Sequence, residues 1–220
     1  MDFFGSLPQP EPPPRPVYQA PPVWARPSSR VLPAVIPGSN LLIHRPTVAV
    51  CMDYLRVYPD ALVFTVRVQY RSGQTPRLHG EKGSVHPFRG SIFPYGDPAE
   101  LRRVLRFGVL YADGRRALVQ RRPPHPQHGG EPERPVMKSL SGYGTTGEWH
   151  QDFYIWGLPQ QGPVTIVYSW LDQEVPESSF EIDGDAVRAA ADRIVVLWED
   201  DGEDDGAEED GREDDDTAES

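Results

Sequence analysis

From Leu62 to Arg71 apolar and polar side chains take turns, with Phe64, Val66, Val68 and Tyr70 set against Thr65, Arg67 and Gln69. A period of two fits an extended strand with one buried face, because successive side chains of a strand point to opposite sides of a sheet. Thr47–Tyr58 leads into this run through the turn Pro59-Asp60. The pattern then recurs. Leu105, Phe107, Val109 and Tyr111 alternate with Arg106 and Gly108, and Asp113-Gly114 supplies the positive φ of a tight hairpin before Arg115–Val119 returns. Gln151–Leu158 turns through Pro159–Pro163 into Val164–Leu171. Phe153 and Ile155 share one side of that strand and Tyr154 and Trp156 the other, so both of its faces should be covered. Val175–Ile182 reads as a seventh strand.

Helical signals are confined to two places. Asp97-Pro98-Ala99-Glu100 has the capping side chain, first-turn proline and following Glu of a helix start, but sustains only a short helix. A second helix is expected from Gly184 to Trp198, capped by Asp183, with Asp185 complementing its dipole. Val187, Ala190, Ala191, Ile194, Leu197 and Trp198 would form its buried stripe. These elements predict a mainly β fold: an immunoglobulin-like two-layer antiparallel β-sandwich with one C-terminal helix. An α+β sheet with the helix packed across it is the competing arrangement.

Proline and charge set the domain limits. Met1–Arg45 is proline-dense, so residues 1–46 read as a disordered leader that favours extended conformations. The spacing of Pro12, Pro13 and Pro16 beside Arg15 would suit a polyproline-binding partner, and Val31–Ile43 could drape an apolar strip over the domain. The domain proper is expected at 47–198. Residues 199–220 hold 14 acidic side chains and one arginine, a charge of −13 against −11 for the whole chain, so everything before the tail sums to +2. The acidity therefore belongs to a tail expected to be disordered, not to the fold.

Cys51 is the only cysteine, which excludes an internal disulfide and any CxxC metal spacing. No run approaches the length of a membrane span, and Met1–Arg15 lacks the basic and apolar regions of a secretory signal. A reduced, cytoplasmic protein without a cofactor is the expectation.

Parity locates a candidate site. Antiparallel strands swap ends at every step, so the short turns at Pro59, Asp113 and Gln160 should share one pole. The long connections Ser72–Val104 and Gln120–His150 should share the other. Connections of that length are uncommon unless functional or disordered. They hold His79, His86, His125, His128 and His150. His125-Pro-Gln-His128 has imidazoles that could ligate a metal, although no Cys or acidic ligand accompanies them. His150 and Asp152, two apart on a strand, would face the same side as a general base and its orienting carboxylate, without an identifiable nucleophile. Otherwise Trp149 plugs the end of the core. Tyr143, Trp149, Tyr154 and Trp156 could alternatively form a flat carbohydrate-binding platform. Arg102, Arg103, Arg106, Arg115, Arg116, Arg121 and Arg122 make the central hairpin basic, but the tail is a competing polyanion, which argues against nucleic acid.

The segments Leu105–Arg116, Trp149–Trp156 before Leu158-Pro159, Gly162-Pro163 and Asp183–Trp198 resemble a group of actinobacterial proteins of unknown function over about a third of the chain. In that group a glycine-rich stretch precedes the residue matching Trp149; here it is diluted to Ser141–Gly147. The resemblance implies a bacterial cytosolic setting and carries no activity or site residue. The expected function is a non-enzymatic module that contacts a protein or small ligand at its long-loop end. A hydrolase or metal-dependent enzyme and a carbohydrate-binding module are the alternatives. An enzyme requires a hollow where His150 and Asp152 converge, a carbohydrate module requires coplanar exposed aromatics, and a partner-binding module requires an exposed apolar patch.

Overall fold

In the computed structural model, which describes residues 22–74, 87–88, 103–119, 131–145, 147–159 and 161–198, the alternating run becomes strand β5 (Ala61–Tyr70). Pro59-Asp60 turns β4 (Val48–Tyr58) into it, and the two pair antiparallel from Val48 opposite Tyr70 to Tyr58 opposite Ala61. The second hairpin is β6 (Arg106–Tyr111) and β7 (Arg116–Leu118). The remaining strands are β1 (Val31–Leu32), β2 (Ala34–Ile36), β3 (Asn40–His44), β8 (Val136–Thr145), β9 (Glu148–Trp156), β10 (Val164–Trp170), β11 (Val175–Ile182) and β12 (Val195–Val196). Helix α1 (Gly184–Ala191) follows β11.

A six-stranded sheet runs β2-β4-β5-β9-β8, with β3 also on β4, and a four-stranded sheet runs β11-β10-β6-β7. Every pairing within these sheets is antiparallel. The expected mainly β two-layer sandwich with a helix near the C-terminus is present among the described residues; this strand order does not establish its immunoglobulin-like variant. The layers meet through rings. Phe107 of the small sheet lies 5.0 Å from Phe153 of the large one, and Tyr70 meets Trp170 edge-on at 6.3 Å. Val119 bridges in parallel to Met137, joining the two sheets at one edge. At the other edge the Tyr168 hydroxyl donates to the Leu42 carbonyl.

Parity is half right. Gly157 N–H donates to the Asp60 carbonyl, and a Cβ on Gly162 would press on Ala112, so residues 59–60, 112–115, 157–159 and 161–163 share one pole. The segment Gln120–His150 is not one excursion, however. It contains β8, which runs from Val136 opposite Trp156 to Thr145 opposite Glu148 and so crosses from the short-turn pole to the other. The third expected hairpin is also corrected, because β9 and β10 lie in different sheets and the turn between them crosses the sandwich.

Two boundaries move. The fold begins before Thr47: β2 and β3 pair with β4, with Pro33 and Pro37 falling in the breaks between short strands. Proline suits such breaks because it cannot donate to a ladder. Upstream, Trp24 is buried, and the Tyr154 hydroxyl donates to the Val23 carbonyl. Trp24, Tyr58, Ala61, Val63, Val136, Tyr154 and Trp156 thereby form a second apolar cluster on the outer side of the large sheet. The helix is shorter than its sequence stripe. Asp183 caps it by accepting from the Asp185 N–H at 2.9 Å, but it stops at Ala191, and Val195–Val196 pairs with β1 instead. The run Ile194-Val195-Val196 is β-branched, so strand pairing outcompetes another helical turn. Val187 and Ala190 are buried as expected, whereas Leu197 and Trp198 are exposed. The expected helix at Asp97–Glu100 lies outside the described residues.

Among the described residues, no helix is long and apolar enough to cross a membrane. Pro87 and Phe88, from the long connection between β5 and β6, are buried, and Phe88 meets Phe153 edge-on at 5.8 Å. Phe88→Ala should cost about 3–5 kcal/mol, the range for emptying a buried phenylalanine site. Urea denaturation measures it, and a loss below about 1 kcal/mol would mean that the long connection is not anchored there.

Lys138 lies beside Tyr154 with its ammonium 6.0 Å from the ring centre. Burial, joined by the charge of Arg26, holds it below the usual lysine value. The folded chain thus binds this proton less tightly than the unfolded chain, a cost present at neutral pH that fades as pH rises towards 10.5. Lys138→Met is expected to raise Tm at pH 7, with a gain that shrinks in the alkaline range. An equal gain at both pH values would assign the effect to packing alone.

Candidate functional site

Alternation along β9 sends Trp149, Gln151, Phe153 and Ile155 inward and Glu148, His150, Asp152, Tyr154 and Trp156 outward. His150 and Asp152 do share a face, as their spacing predicts. Across that face, Thr65 stands opposite Asp152, and Arg67 opposite His150. Cys51 lies opposite Arg67 and Tyr143 opposite His150, so Cys51, Arg67, His150 and Tyr143 form one row over four strands.

Two irregularities flank the Thr65–Asp152 row. On one side β4 shifts register between Met52 and Leu55, and on the other β8 shifts between Ser139 and Gly142. Such bulges bend the strand and re-aim its side chains. Arg56 is thereby able to reach over β5, donating from Nη2 to Asp152 Oδ2 at 2.6 Å, while Thr65 Oγ1 donates to Asp152 Oδ1 at 2.6 Å. Arg67 Nη2 donates to Asp53 Oδ1 at 3.1 Å, and that bond is the main reason the guanidinium is held above its usual value. On the β8 side, Gln151 is almost fully buried and donates from Nε2 to the Leu140 and Ser141 carbonyls, satisfying acceptors that the shifted ladder leaves without a strand partner.

This wiring does not make the catalytic pair considered above. Asp152 is occupied by Arg56 and Thr65, and the carboxylate on His150 is Glu148, whose Oε1 lies 2.8 Å from Nε2. The other side of the imidazole is covered by Tyr143, stacked at 4.5 Å and 9°. Cys51 sits two strands from His150 across β5, too far for a thiol–imidazole contact given the spacing of about 4.8 Å between neighbouring strands.

The aromatic set is dispersed as well. Tyr143 is exposed on the outer face, while Trp149 is half-buried against the core. Tyr154 and Trp156 are buried in the outer cluster, and the Arg134 guanidinium covers the Trp156 ring at 4.2 Å. No coplanar exposed platform forms from these four. His79, His86, His125 and His128, together with Arg102, Arg121 and Arg122, lie outside the described residues. Among the described residues, no group of three His, Cys, Asp or Glu is placed to hold a metal. Of the hairpin arginines described, Arg103 pairs with Asp172, Arg106 donates to Ser169 and Arg115 pairs with Asp113.

Two hollows lie away from this face. An open groove of about 850 Å³ runs over Gly108, Leu110, Leu118 and Val167 on the outer side of the small sheet, walled by Pro132–Pro135. A cleft of about 220 Å³ separates α1 from the turns at Pro59-Asp60 and Leu158-Pro159. Exposed apolar side chains instead gather on the ribbon of β1 and β12: Leu32, Val195 and Val196, followed directly by Leu197 and Trp198. The ribbon is tied down by its backbone, with the Leu197 N–H donating to the Arg30 carbonyl at 2.8 Å. It belongs to the short-turn pole, since β2, the next strand along, starts with Ala34 opposite Val57.

Three features escaped the sequence reading: the strand character of β8, the ion-pair face and the β1–β12 ribbon. Gly142 and Gly144 hid the first, because glycine weakens strand propensity. Their spacing was nonetheless a signal: both point inward, opposite Gln151 and Trp149, and a Cβ on Gly144 would run into the Trp149 ring. Gly144→Ala should therefore displace Trp149 and cost about 1–3 kcal/mol, as overpacking does. Near-ultraviolet circular dichroism and urea titration report both effects, and an unchanged tryptophan spectrum would contradict the packing described. No protein-family model, curated protein or solved structure matches the chain, so its similarities assign it to no family.

Proposed function

We propose that this protein is a cytoplasmic, non-enzymatic interaction module that binds another polypeptide through the β1–β12 ribbon. The observation that carries this reading is the unbroken exposed run Val195–Trp198, with Leu32 paired beside it. Its backbone is fixed by a strand ladder and by Arg30, while its side chains cover little of the chain's own core. Scattered exposed apolar residues are ordinary; a contiguous group held on an ordered ribbon is the mark of a contact surface. The reading moves the contact from the long-loop pole to the short-turn pole. Asp152 is engaged by Arg56 and Thr65 rather than by His150, so the expected base and orienting carboxylate do not pair. A cytoplasmic setting accords with the single, unpaired Cys51.

Proximity labelling with the full chain tests the proposal, comparing wild type with Val196→Ser/Trp198→Ser. Both positions are solvent-exposed, so stability should move by no more than about 0.5 kcal/mol per site. At least one protein labelled in proportion by wild type should be lost with the double variant. Identical labelled sets from the two would sink the proposal.

A further inference from the structure

We infer that this chain pairs with a second copy of itself along the outer edge of β8, strand to strand and antiparallel, about a two-fold axis at Tyr143. The pairing uses the opposite pole from the β1–β12 ribbon, is independent of it, and goes beyond the reading above.

Backbone geometry opens this edge. The Gly147 carbonyl accepts from the Tyr70 N–H at 2.7 Å, so alternation turns the odd-numbered residues of β9 towards β5, and Glu148 and His150 towards β8. Their partners Thr145 and Tyr143 therefore spend their backbone groups on β9. Gly142 and Gly144 alternate with them, so their N–H and C=O groups face the other way, where no described residue bonds them. Ser141–Thr145 is exposed throughout, and the described bridge on this edge, Val119 with Met137, lies on the far side of the register shift. An ordered edge with open backbone groups is a template for a further strand. The edge strand β11, by contrast, is guarded by Pro176, Glu177 and Glu181.

The side chains select the occupant. No residue between Lys138 and Glu148 is charged, so a second copy meets no like charge along the stretch, and an ionic partner finds no counter-charge on it. In an antiparallel pair centred on Tyr143, Gly142 of each copy stands opposite Gly144 of the other. These are the residues whose backbone groups face outward, so each such pair exchanges both of its hydrogen bonds. Neither glycine brings a side chain, which leaves the Trp149 ring undisturbed where it packs over Gly144. Tyr143 meets its own counterpart at the non-hydrogen-bonded position, where opposed side chains come closest. Its ring is 70% exposed and already lies 4.5 Å from the His150 ring at 9°, so the two copies join their rings into one row across the axis. A foreign strand could copy the backbone bonds but not this symmetry. A contact so short belongs to the class below about 1,200 Å², which makes the dimer weak and transient.

Sedimentation equilibrium of the full chain at concentrations up to about 1 mM, the weak end of specific association, tests the inference. Wild type should show a monomer–dimer equilibrium. Tyr143→Lys and Tyr143→Glu should each weaken it at least about ten-fold, because like charges then face each other across the axis. Mixing these two variants should restore the dimer, since two-fold pairing sets position 143 of one copy against position 143 of the other. Val196→Ser/Trp198→Ser should leave the Kd unchanged. Hydrogen exchange on wild type needs no variant: the Gly142 and Gly144 amides should exchange more slowly in concentrated than in dilute solution. A chain that stays monomeric to that limit, exchange at the two glycines that ignores concentration, or single variants that dimerise like wild type would overturn the inference. So would a mixture of the two variants that remains monomeric. A dimer lost in Val196→Ser/Trp198→Ser but kept in Tyr143→Lys would overturn it as well, by moving self-association to the ribbon.

Discussion

The second half of strand β9, Phe153–Trp156, is buried on both sides, and the architecture depends on keeping it so. Its inward rings, with Phe153 at the centre, meet Phe64 of the same sheet, Phe107 of the opposite sheet and Phe88 from the long connection. Its outward rings, Tyr154 and Trp156, must be shielded as well, and a second sheet is not there to shield them. The cover comes from Trp24 and the chain around it, tied down by the Tyr154 hydroxyl on the Val23 carbonyl. Of the described N-terminal residues, Trp24, Ala25 and Val31 thus cover the outer cluster, and Ala34–Ile36 and Asn40–His44 extend the sheet itself.

The other half of the same outer face has a different solution. There the sheet carries charges, paired with one another: Arg56 with Asp152, Arg67 with Asp53, and His150 with Glu148. All are partly exposed, so their combined contribution to stability is modest. They lie beside the register shift in β4, where Arg56 reaches across β5 to Asp152. At the short-turn pole the polarity is reversed, with an ordered backbone presenting apolar side chains to solvent.

Much of the fold was legible because its signals are local. Alternation at Leu62–Arg71 and Leu105–Tyr111, Asp113-Gly114 as a turn, and Asp183 as a cap each depend on a few neighbouring residues. The apolar pairs Phe153/Ile155 and Tyr154/Trp156 also announced a strand with both faces covered. Less legible were elements whose formation depends on a distant partner. β8 reads as loop because Gly142 and Gly144 lower its propensity, yet those glycines are there to admit Gln151 and Trp149. Val195–Val196 continues a helical stripe in sequence, and only β1, more than 160 residues earlier, turns it into a strand.

The sequence by itself determined which segments are extended, where the tight turns fall, and that the chain's negative charge is concentrated after Trp198. Those properties follow from residue periodicity, glycine and proline geometry, and simple charge counting. Only the tertiary structure decided which strands became neighbours, which aromatic rings were covered, which carboxylate engaged His150, and that Val195–Trp198 faces solvent. The reason is physical: a side chain's periodicity fixes the side of its own strand on which it lies, but what lies beyond that side is set by chain brought from far away.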